Sequence, residues 1–213
     1  MVGRRRLLMG AVEIPSEYSL LDYIECRGNG YIETEIFPHI DPNIIFTLDV
    51  QFTELGNGKT QVNGIYNGDD GRLGIGRSSG NYARFDLGTN LQYPGYPDPN
   101  KTLNNERHTL CLNISEHKVK IDDEETVYDP FTFHSQAARY SCVLIGARRI
   151  GFSGNYSQET YCYERVYGAE FVWEGKIFSI LKPVKSKYGG KLGLYDTVQK
   201  KILEGKGTWY APV

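Results

Sequence analysis

The sequence predicts an all-β domain built as a two-sheet antiparallel sandwich, preceded by an extended N-terminal arm. Two observations lead to this prediction. Short apolar segments, alternating or continuous, recur along the chain and are separated by turn sequences rich in Gly, Asn and Asp, whereas no segment has the period of an amphipathic helix. The 16 tyrosines and 24 glycines are also typical of many strands joined by tight turns.

The totals limit the class of protein. A chain of 213 residues is long enough for one large domain, which buries roughly 70% of its unfolded surface and needs no metal or disulfide to hold its core. The net charge of −2 and the pI of about 6.1 do not favour nucleic acid or an anionic membrane as partner. No stretch approaches the roughly 20 apolar residues of a membrane span. We therefore expect no cofactor, no nucleic acid and no membrane insertion.

Residues 1–15 are predicted to form the arm, and residues 16–213 the domain. The apolar run that follows the three arginines breaks at Gly10, which makes it too short for an export signal. Burying unpaired arginines inside the domain would cost free energy, and leucines left in solvent would gain none from the burial of apolar surface. A segment that contains both therefore suits docking on a partner protein or on another copy of the chain. The residues expected to dock are Arg4, Arg5, Arg6, Leu7 and Leu8.

The predicted strands follow in order. Residues 46–52 alternate between apolar and polar side chains, and residues 61–66 form a short strand that ends at the turn 67–71. A hairpin joins 72–76 to 82–87, and three prolines make 92–104 a surface loop.

In the second half, residues 108–114 turn back as 118–122, and the apolar run 143–147 is predicted to be a continuous central strand. Residues 164–173 pair with 176–181, and 192–196 lead into a last hairpin that ends at Trp209 and Tyr210.

The four cysteines are widely spaced and form no C-x-x-C pair, so zinc is not expected. We interpret them as reduced thiols, with Cys111 and Cys142 buried. The even number of cysteines also permits two disulfides, and this alternative stays open.

Two end segments carry a resemblance to a known family. Residues 21–34 (LDYIECRGNGYIET) and 193–198 (GLYDTV), the latter followed by GKGTW at 205–209, resemble the opening and closing elements of concanavalin A-like (laminin G-like) jelly-roll domains in phage and prophage structural proteins. Residues 107–110 and 161–176 resemble inner strands of the same domains, so the resemblance covers 18–210. Cys26, Arg27 and Trp209 depart from the family pattern.

The resemblance implies a jelly-roll sandwich whose chain ends pair as neighbouring strands. Tyr23, Tyr31 and Tyr195 are then expected to pack their rings together. It also implies a virion protein made in the cytoplasm of a bacterial host, with the arm binding other virion proteins or a second copy, and with a homo-oligomer in the particle.

No catalytic set is predicted. Glycanases of this fold carry two carboxylates on one strand face. Here Asp49 and Glu54 are an odd number of residues apart, so their side chains would point to opposite faces of a strand. Glu33 and Glu35 would share a face, but no third carboxylate follows them. The four histidines lack metal-ligand spacing, and no serine lies in a G-x-S-x-G turn. We therefore predict a protein that is not an enzyme.

The aromatic, amide-rich loops give the predicted ligand site. Sugar rings stack on tyrosine, while Asp and Arg exchange hydrogen bonds with hydroxyl groups. The candidate ligand-binding residues are Tyr66, Asp69, Asp70, Arg77, Tyr82, Arg84, Tyr93 and Tyr96. The turn 67–71 has the oxygen ligands that calcium uses but not their ordered spacing, so we interpret it as a plain turn and expect no metal.

Two functions follow from these observations. The first is a tail, baseplate or head-fibre adhesin with a lectin-like domain that binds host cell-surface glycan. The alternative is a purely architectural virion component, a decoration or connector protein without glycan binding.

Overall fold

The fold is known from a computed structural model, which describes residues 13–36, 43–54, 60–66, 72–88, 102–127, 142–152 and 155–212. All the secondary-structure elements among these residues are β-strands, which confirms the predicted all-β class. The docking residues predicted in the arm, the turn 67–71 and the proline loop 92–99 lie outside the described residues.

The strands are β1 (Tyr18–Leu20), β2 (Ile24–Glu33), β3 (Ile44–Phe52), β4 (Gln61–Tyr66), β5 (Arg72–Arg77), β6 (Ala83–Gly88), β7 (Arg107–Asn113), β8 (Lys118–Ile121), β9 (Glu124–Val127), β10 (Leu144–Ile145), β11 (Ala147–Phe152), β12 (Asn155–Tyr161), β13 (Tyr163–Trp173), β14 (Lys176–Ser186), β15 (Leu192–Asp196), β16 (Lys201–Glu204) and β17 (Lys206–Tyr210). The longest strands are β2, β3, β13 and β14, with 9 to 11 residues each.

One continuous sheet curls over itself to form two halves. The first half runs β16–β15–β14–β13–β3–β7–β8–β9, with β1 added beside β14. The second half contains β10, β4, β5 and β6, together with β11 and β12. All of these pairs are antiparallel except β4 with β11, which is parallel.

Strand β2 joins the two halves. Its first residues pair with β13 of the first half, and Ile32 and Glu33 pair with β10 of the second. The middle of β2 pairs with β17, so the beginning and end of the chain are neighbours, as the end motifs predicted.

The core lies between the two halves. Phe46, Leu48, Val50 and Phe52 are all fully buried, because the alternation of β3 sends every second side chain inward. Phe46 stacks on Phe171 with ring centroids 4.6 Å apart, and residues of the second half such as Ile75 and Ile145 complete the same cluster. This burial of apolar surface is the main source of the fold's stability.

The apolar run at 143–147 is two strands rather than the continuous one predicted. Gly146 separates β10 from β11 and has φ of +86°, which disfavours any side chain there. A Cβ at Gly146 would also lie 2.8 Å from both the carbonyl oxygen of Gly30 and the ring of Trp209. The chain therefore bends at this glycine and continues beside β12.

The end of the chain also differs from the prediction. β16 forms a hairpin with β15, but β17 leaves that hairpin and pairs with β2. Strands β1, β9 and β12 were not predicted; β9 contains Glu124 and Glu125 and no apolar alternation, because it lies at the sheet edge.

All four cysteines are free thiols, which agrees with the reduced state predicted. Cys142 is buried as expected, together with Cys26 and Cys162, but Cys111 is only half-buried. Leu110 and Leu112 face the core from β7, so Cys111 between them must point outward.

A fully buried carboxyl group, Glu164 of β13, lies inside the core. Its Oε2 accepts a hydrogen bond from Nδ2 of Asn63 at 2.9 Å, and the Asn63 Oδ1 accepts one from the Gly146 amide at 2.6 Å. Glu164 Oε1 has no hydrogen-bond partner within the described part of the chain. Burial raises the pKa of Glu164 to about 7, and the thiols of Cys26 and Cys162 are the titratable groups beside it.

We predict that Glu164→Gln stabilises the protein at alkaline pH. Because the folded-state pKa of about 7 lies above the ordinary value of 4.5, the protonated carboxyl group contributes stability below pH 4.5 that is lost as the pH rises through 7. The loss corresponds to about 3 kcal/mol, and a glutamine avoids it while keeping an acceptor for Asn63. Urea unfolding at pH 5 and pH 8 measures the difference.

The matched control is Glu17→Gln, an exposed residue before β1. We expect this control to retain the pH dependence of the unmodified protein. A Glu164→Gln variant whose stability changes with pH as the unmodified protein's does would show that Glu164 is ionised in the fold.

Candidate ligand-binding face

The structure describes only part of the predicted loop site. Asp69, Asp70, Tyr93 and Tyr96 lie outside the described residues, and of Tyr66 only the backbone, in β4, is described. The three remaining candidates, Arg77, Tyr82 and Arg84, lie on or beside the β5–β6 hairpin.

Arg77 is fully buried. Its Nη2 donates to the carbonyl oxygen of Glu54 at 2.7 Å, its Nη1 donates to Oδ1 of Asn81, and burial lowers the pKa of the guanidinium group. Asn81 has a φ of +66°, so this contact fixes the turn of the hairpin. Arg77 therefore presents no exposed group to a ligand in this structure.

Arg84 and Tyr82 are both half-buried. The Arg84 Nε is 2.6 Å from Oδ1 of the buried Asp86, and the Tyr82 backbone bridges to Thr102. Of the predicted ligand residues, these two keep exposed surface within the described part of the chain.

A second group of aromatic and charged side chains lies on the outer face of the first half. Five residues are directly opposite one another across the neighbouring strands β17, β2, β13, β3 and β7. We call them the arginine row; in spatial order they are Tyr210, Glu25, Arg165, Gln51 and Arg107.

Strand alternation places the row outside. The neighbours of the row residues along each strand, such as Ile24, Val50 and Val166, are fully buried, so the row residues point the other way. Tyr23, Arg27, Asp49 and Tyr167 flank the row on the same strands or beside them.

Two carboxylates hold the three guanidinium groups in place. Glu25 lies 2.5 Å from Nε of Arg27 and 2.8 Å from Nε of Arg165. Burial raises the pKa of Glu25, but the hydrogen bonds from Arg165 and Arg27 outweigh it, and the net pKa is lowered. Asp49 accepts from Nε and Nη2 of Arg107 at 2.6 and 2.5 Å, a two-point pairing that fixes the plane of that guanidinium group.

Each guanidinium group also lies over a tyrosine ring. The Cζ of Arg27 is 4.1 Å from the centroid of Tyr210, that of Arg107 is 4.0 Å from Tyr167, and that of Arg165 is 4.8 Å from Tyr23. The rings of Tyr23 and Tyr167 are themselves 5.4 Å apart. Such cation–π contacts limit the motion of the long arginine side chains.

Gln51 connects the centre of the row. Its Oε1 accepts from the Tyr167 hydroxyl group at 2.9 Å and from Nη1 of Arg165 at 3.4 Å. Its Nε2 donates to the carbonyl oxygen of Asn105 at 2.6 Å. The row is therefore a pre-arranged network and not a set of independent surface side chains.

The arginines lie above their carboxylates. The side chains of Glu25 and Asp49 are 9% and 4% exposed, whereas those of Arg27, Arg107 and Arg165 are 54%, 35% and 35% exposed. Arg27 and Arg165 bind Glu25 through their Nε atoms, and Nη1 of Arg165 donates to Gln51. The outermost groups are thus guanidinium edges and tyrosine rings, which can bind hydroxyl, carboxylate or phosphate oxygens.

The carboxylates weighed as catalytic groups have other partners. Asp49 pairs with Arg107, and the side chains of Glu33 and Glu35 lie 2.7 and 2.5 Å from Nζ of Lys206 and Lys201. Both ring nitrogens of His108 are engaged, by Asp122 and Asn104. These contacts give the side chains structural roles.

No group of three or more His, Cys, Asp or Glu side chains in the described ranges is arranged to hold a metal ion. Within the same ranges there is no helix with the length and apolar character needed to span a bilayer.

Comparisons with known proteins returned no match to any protein-family model, to any curated protein or to any solved structure.

Few features of the sequence pointed to the arginine row. Arg27 stood out as a departure from the family pattern, and Arg107 lies in one of the resembling segments, but neither was selected as a site residue. Alternation along each strand would have predicted which side chains point outward. Only the strand order and register bring Arg107 and Tyr210 to one face.

We predict that Glu25→Gln destabilises the protein at neutral pH by about 1–2 kcal/mol, because the nearly buried carboxylate binds two partly exposed arginines. The depressed pKa means that this contribution exists above the ordinary value of 4.5 and is lost as the pH falls below it. Thermal unfolding at pH 7 and pH 3 should show a larger difference from the unmodified protein at pH 7 than at pH 3. Glu204→Gln, which breaks an exposed pair with Lys191, should change little at either pH; equal effects of the two variants would contradict the prediction.

Proposed function

We propose that this chain is a non-catalytic, lectin-like module of a phage particle, an adhesin of the tail, baseplate or head fibres that binds host cell-surface glycan. The observation that carries the proposal is the arginine row. It combines tyrosine rings, oriented guanidinium donors and an amide on one accessible sheet face.

The dimensions of the row suit a chain of sugars. Five neighbouring strands cover four inter-strand gaps, about 19 Å at the usual spacing of about 4.8 Å. This length favours an extended oligosaccharide over a single ring. The tyrosine rings offer apolar surface to sugar C–H groups, and the guanidinium groups donate to hydroxyl oxygens.

The assignment to a virion follows from the resemblance of residues 21–34 and 193–198 to elements of phage structural proteins. The pairing of β17 with β2 supports a structural reading of these end segments, because it brings the opening and closing parts of the chain together. The four free thiols are consistent with synthesis in a reducing bacterial cytoplasm.

Binding to a glycan array tests the proposal, with Tyr210→Ala and Arg165→Lys as variants. Tyr210 is 38% exposed on a terminal strand, so its removal should leave the fold intact while the ring below Arg27 is lost. Lysine at 165 keeps the charge but loses the planar fork. We expect each variant to weaken binding of the best glycan by about tenfold, or about 1.4 kcal/mol.

Tyr188→Ala is the matched control, because Tyr188 is 80% exposed and lies outside the row. Its binding should equal that of the unmodified protein. Absence of any glycan ligand, or a ligand whose affinity the two row variants leave unchanged, would refute glycan binding through this face.

An architectural virion component remains the second candidate, and one observation favours it. Ile177 and Phe178 are 52% and 39% exposed just after the β13–β14 turn, and the rings of Phe178 and Trp173 meet edge to face with centroids 6.1 Å apart. Apolar side chains grouped in this way are typical of contact surfaces. For a self-associating component, sedimentation should show an oligomer that Phe178→Ser dissociates; a monomer at all concentrations would leave this candidate without support.

A further inference from the structure

We infer that the arginine row takes an acidic saccharide, with an anionic group held between Arg27 and Arg165. This inference rests on the proposed function and names its ligand class. The anionic group is a carboxylate or a phosphate carried on a chain of hydroxyl-bearing units.

The charge count locates the anionic group. Among the described side chains of this outer face, Arg27 and Arg165 share one carboxylate, Glu25, so the two cations leave one positive charge unbalanced on the face. At the other end of the row, Arg107 is fully paired with Asp49, and Asp22 adds a further negative charge nearby. Lys182 and Glu170 offset each other. The excess positive charge therefore lies between Arg27 and Arg165.

The depth of the groups makes this excess accessible. Glu25 lies beneath the two arginines and is only 9% exposed, so an approaching anion meets N–H groups before carboxylate oxygens. The negative charge of Glu25 and the contacts with the rings of Tyr210 and Tyr23 offset the mutual repulsion of the two guanidinium groups. Donors fixed in this way bind an oxyanion at two points with little further loss of side-chain freedom.

The remainder of the row continues the site. From Arg165 the face proceeds to Gln51, Tyr167 and Arg107, where donors and an aromatic ring are held in place by Asp49. Hydroxyl groups suit this mixed part better than a second anion. The arrangement fits a saccharide in which an acidic group is followed by neutral ring positions.

Nucleic acid fits the face less well. A duplex presents a dense row of phosphates that requires several unpaired cations, whereas this face has one excess charge and the protein has a net charge of −2.

The test compares acidic saccharides with neutral partners of the same backbone. The panel contains oligogalacturonate and its methyl ester, sialylated and desialylated oligosaccharides, poly(glycerol phosphate) teichoic acid, neutral dextran and duplex DNA. Titration calorimetry measures the affinity of each for the full chain at two salt concentrations.

We expect at least one acidic saccharide to bind at least about tenfold more tightly than its neutral partner, with an affinity that falls as salt increases. Arg27→Gln should weaken that acidic ligand about tenfold and should weaken it more than its neutral partner. Lys118→Gln removes an equal charge from β8 of the same half and should change neither. Preference for the carboxylate or the phosphate ligand identifies the source of the anionic group.

Three results would overturn the inference. Equal binding of acidic and neutral partners, still sensitive to Tyr210→Ala, would leave a glycan-binding face but exclude the acidic ligand. Equal or tighter binding of duplex DNA would mean a general polyanion surface. Binding of no saccharide at all would remove both this inference and the proposed function.

Discussion

The position of β2 between the two halves is the constraint on which the rest of the structure depends. This ten-residue strand pairs with β13, β10 and β17, so it fixes the curl of the sheet and the closure of the chain. Trp209 of β17 secures the junction. Its ring occupies the space where a Cβ of Gly30, Gly146 or Gly205 would lie, at 2.7 to 2.8 Å. The tryptophan that departs from the family pattern is therefore tied to three glycines around β2.

Local patterns predicted much of the fold. The alternation of β3 and β7 and the turn signals of the β5–β6 hairpin gave strands within one or two residues of those observed. The failures have physical causes. β9 has no apolar face because it lies at an edge, and the run at 143–147 was divided by a glycine whose conformation no hydrophobic pattern encodes. The prediction that Cys111 is buried was wrong, because the alternation along β7 already placed its side chain on the other face of the strand from Leu110 and Leu112.

The candidate site was much harder to predict than the strands. The composition of the loops predicted a ligand site within residues 66–97, but Arg77 in this region is buried and holds the turn of a hairpin. The arginine row depends instead on the pairing of five strands that are far apart in sequence, and a shift of one residue in any pair would turn its side chain into the core. The register is fixed by the packing of all the inward-facing side chains, Ile24 and Leu110 among them, and this packing cannot be read from a single sequence.

Strand β13 connects the stability of the fold with the chemistry of the face. Consecutive residues Glu164 and Arg165 point to opposite sides of the strand, one into the core beside Asn63 and the other onto Glu25. The inner face tolerates a carboxyl group because it is protonated there up to a pH of about 7. Above that pH the strand would carry a buried negative charge directly behind the outer arginines. Lysine at 165 keeps a positive charge beside the nearly buried Glu25 and alanine does not, which is why lysine separates ligand recognition from folding better than alanine does.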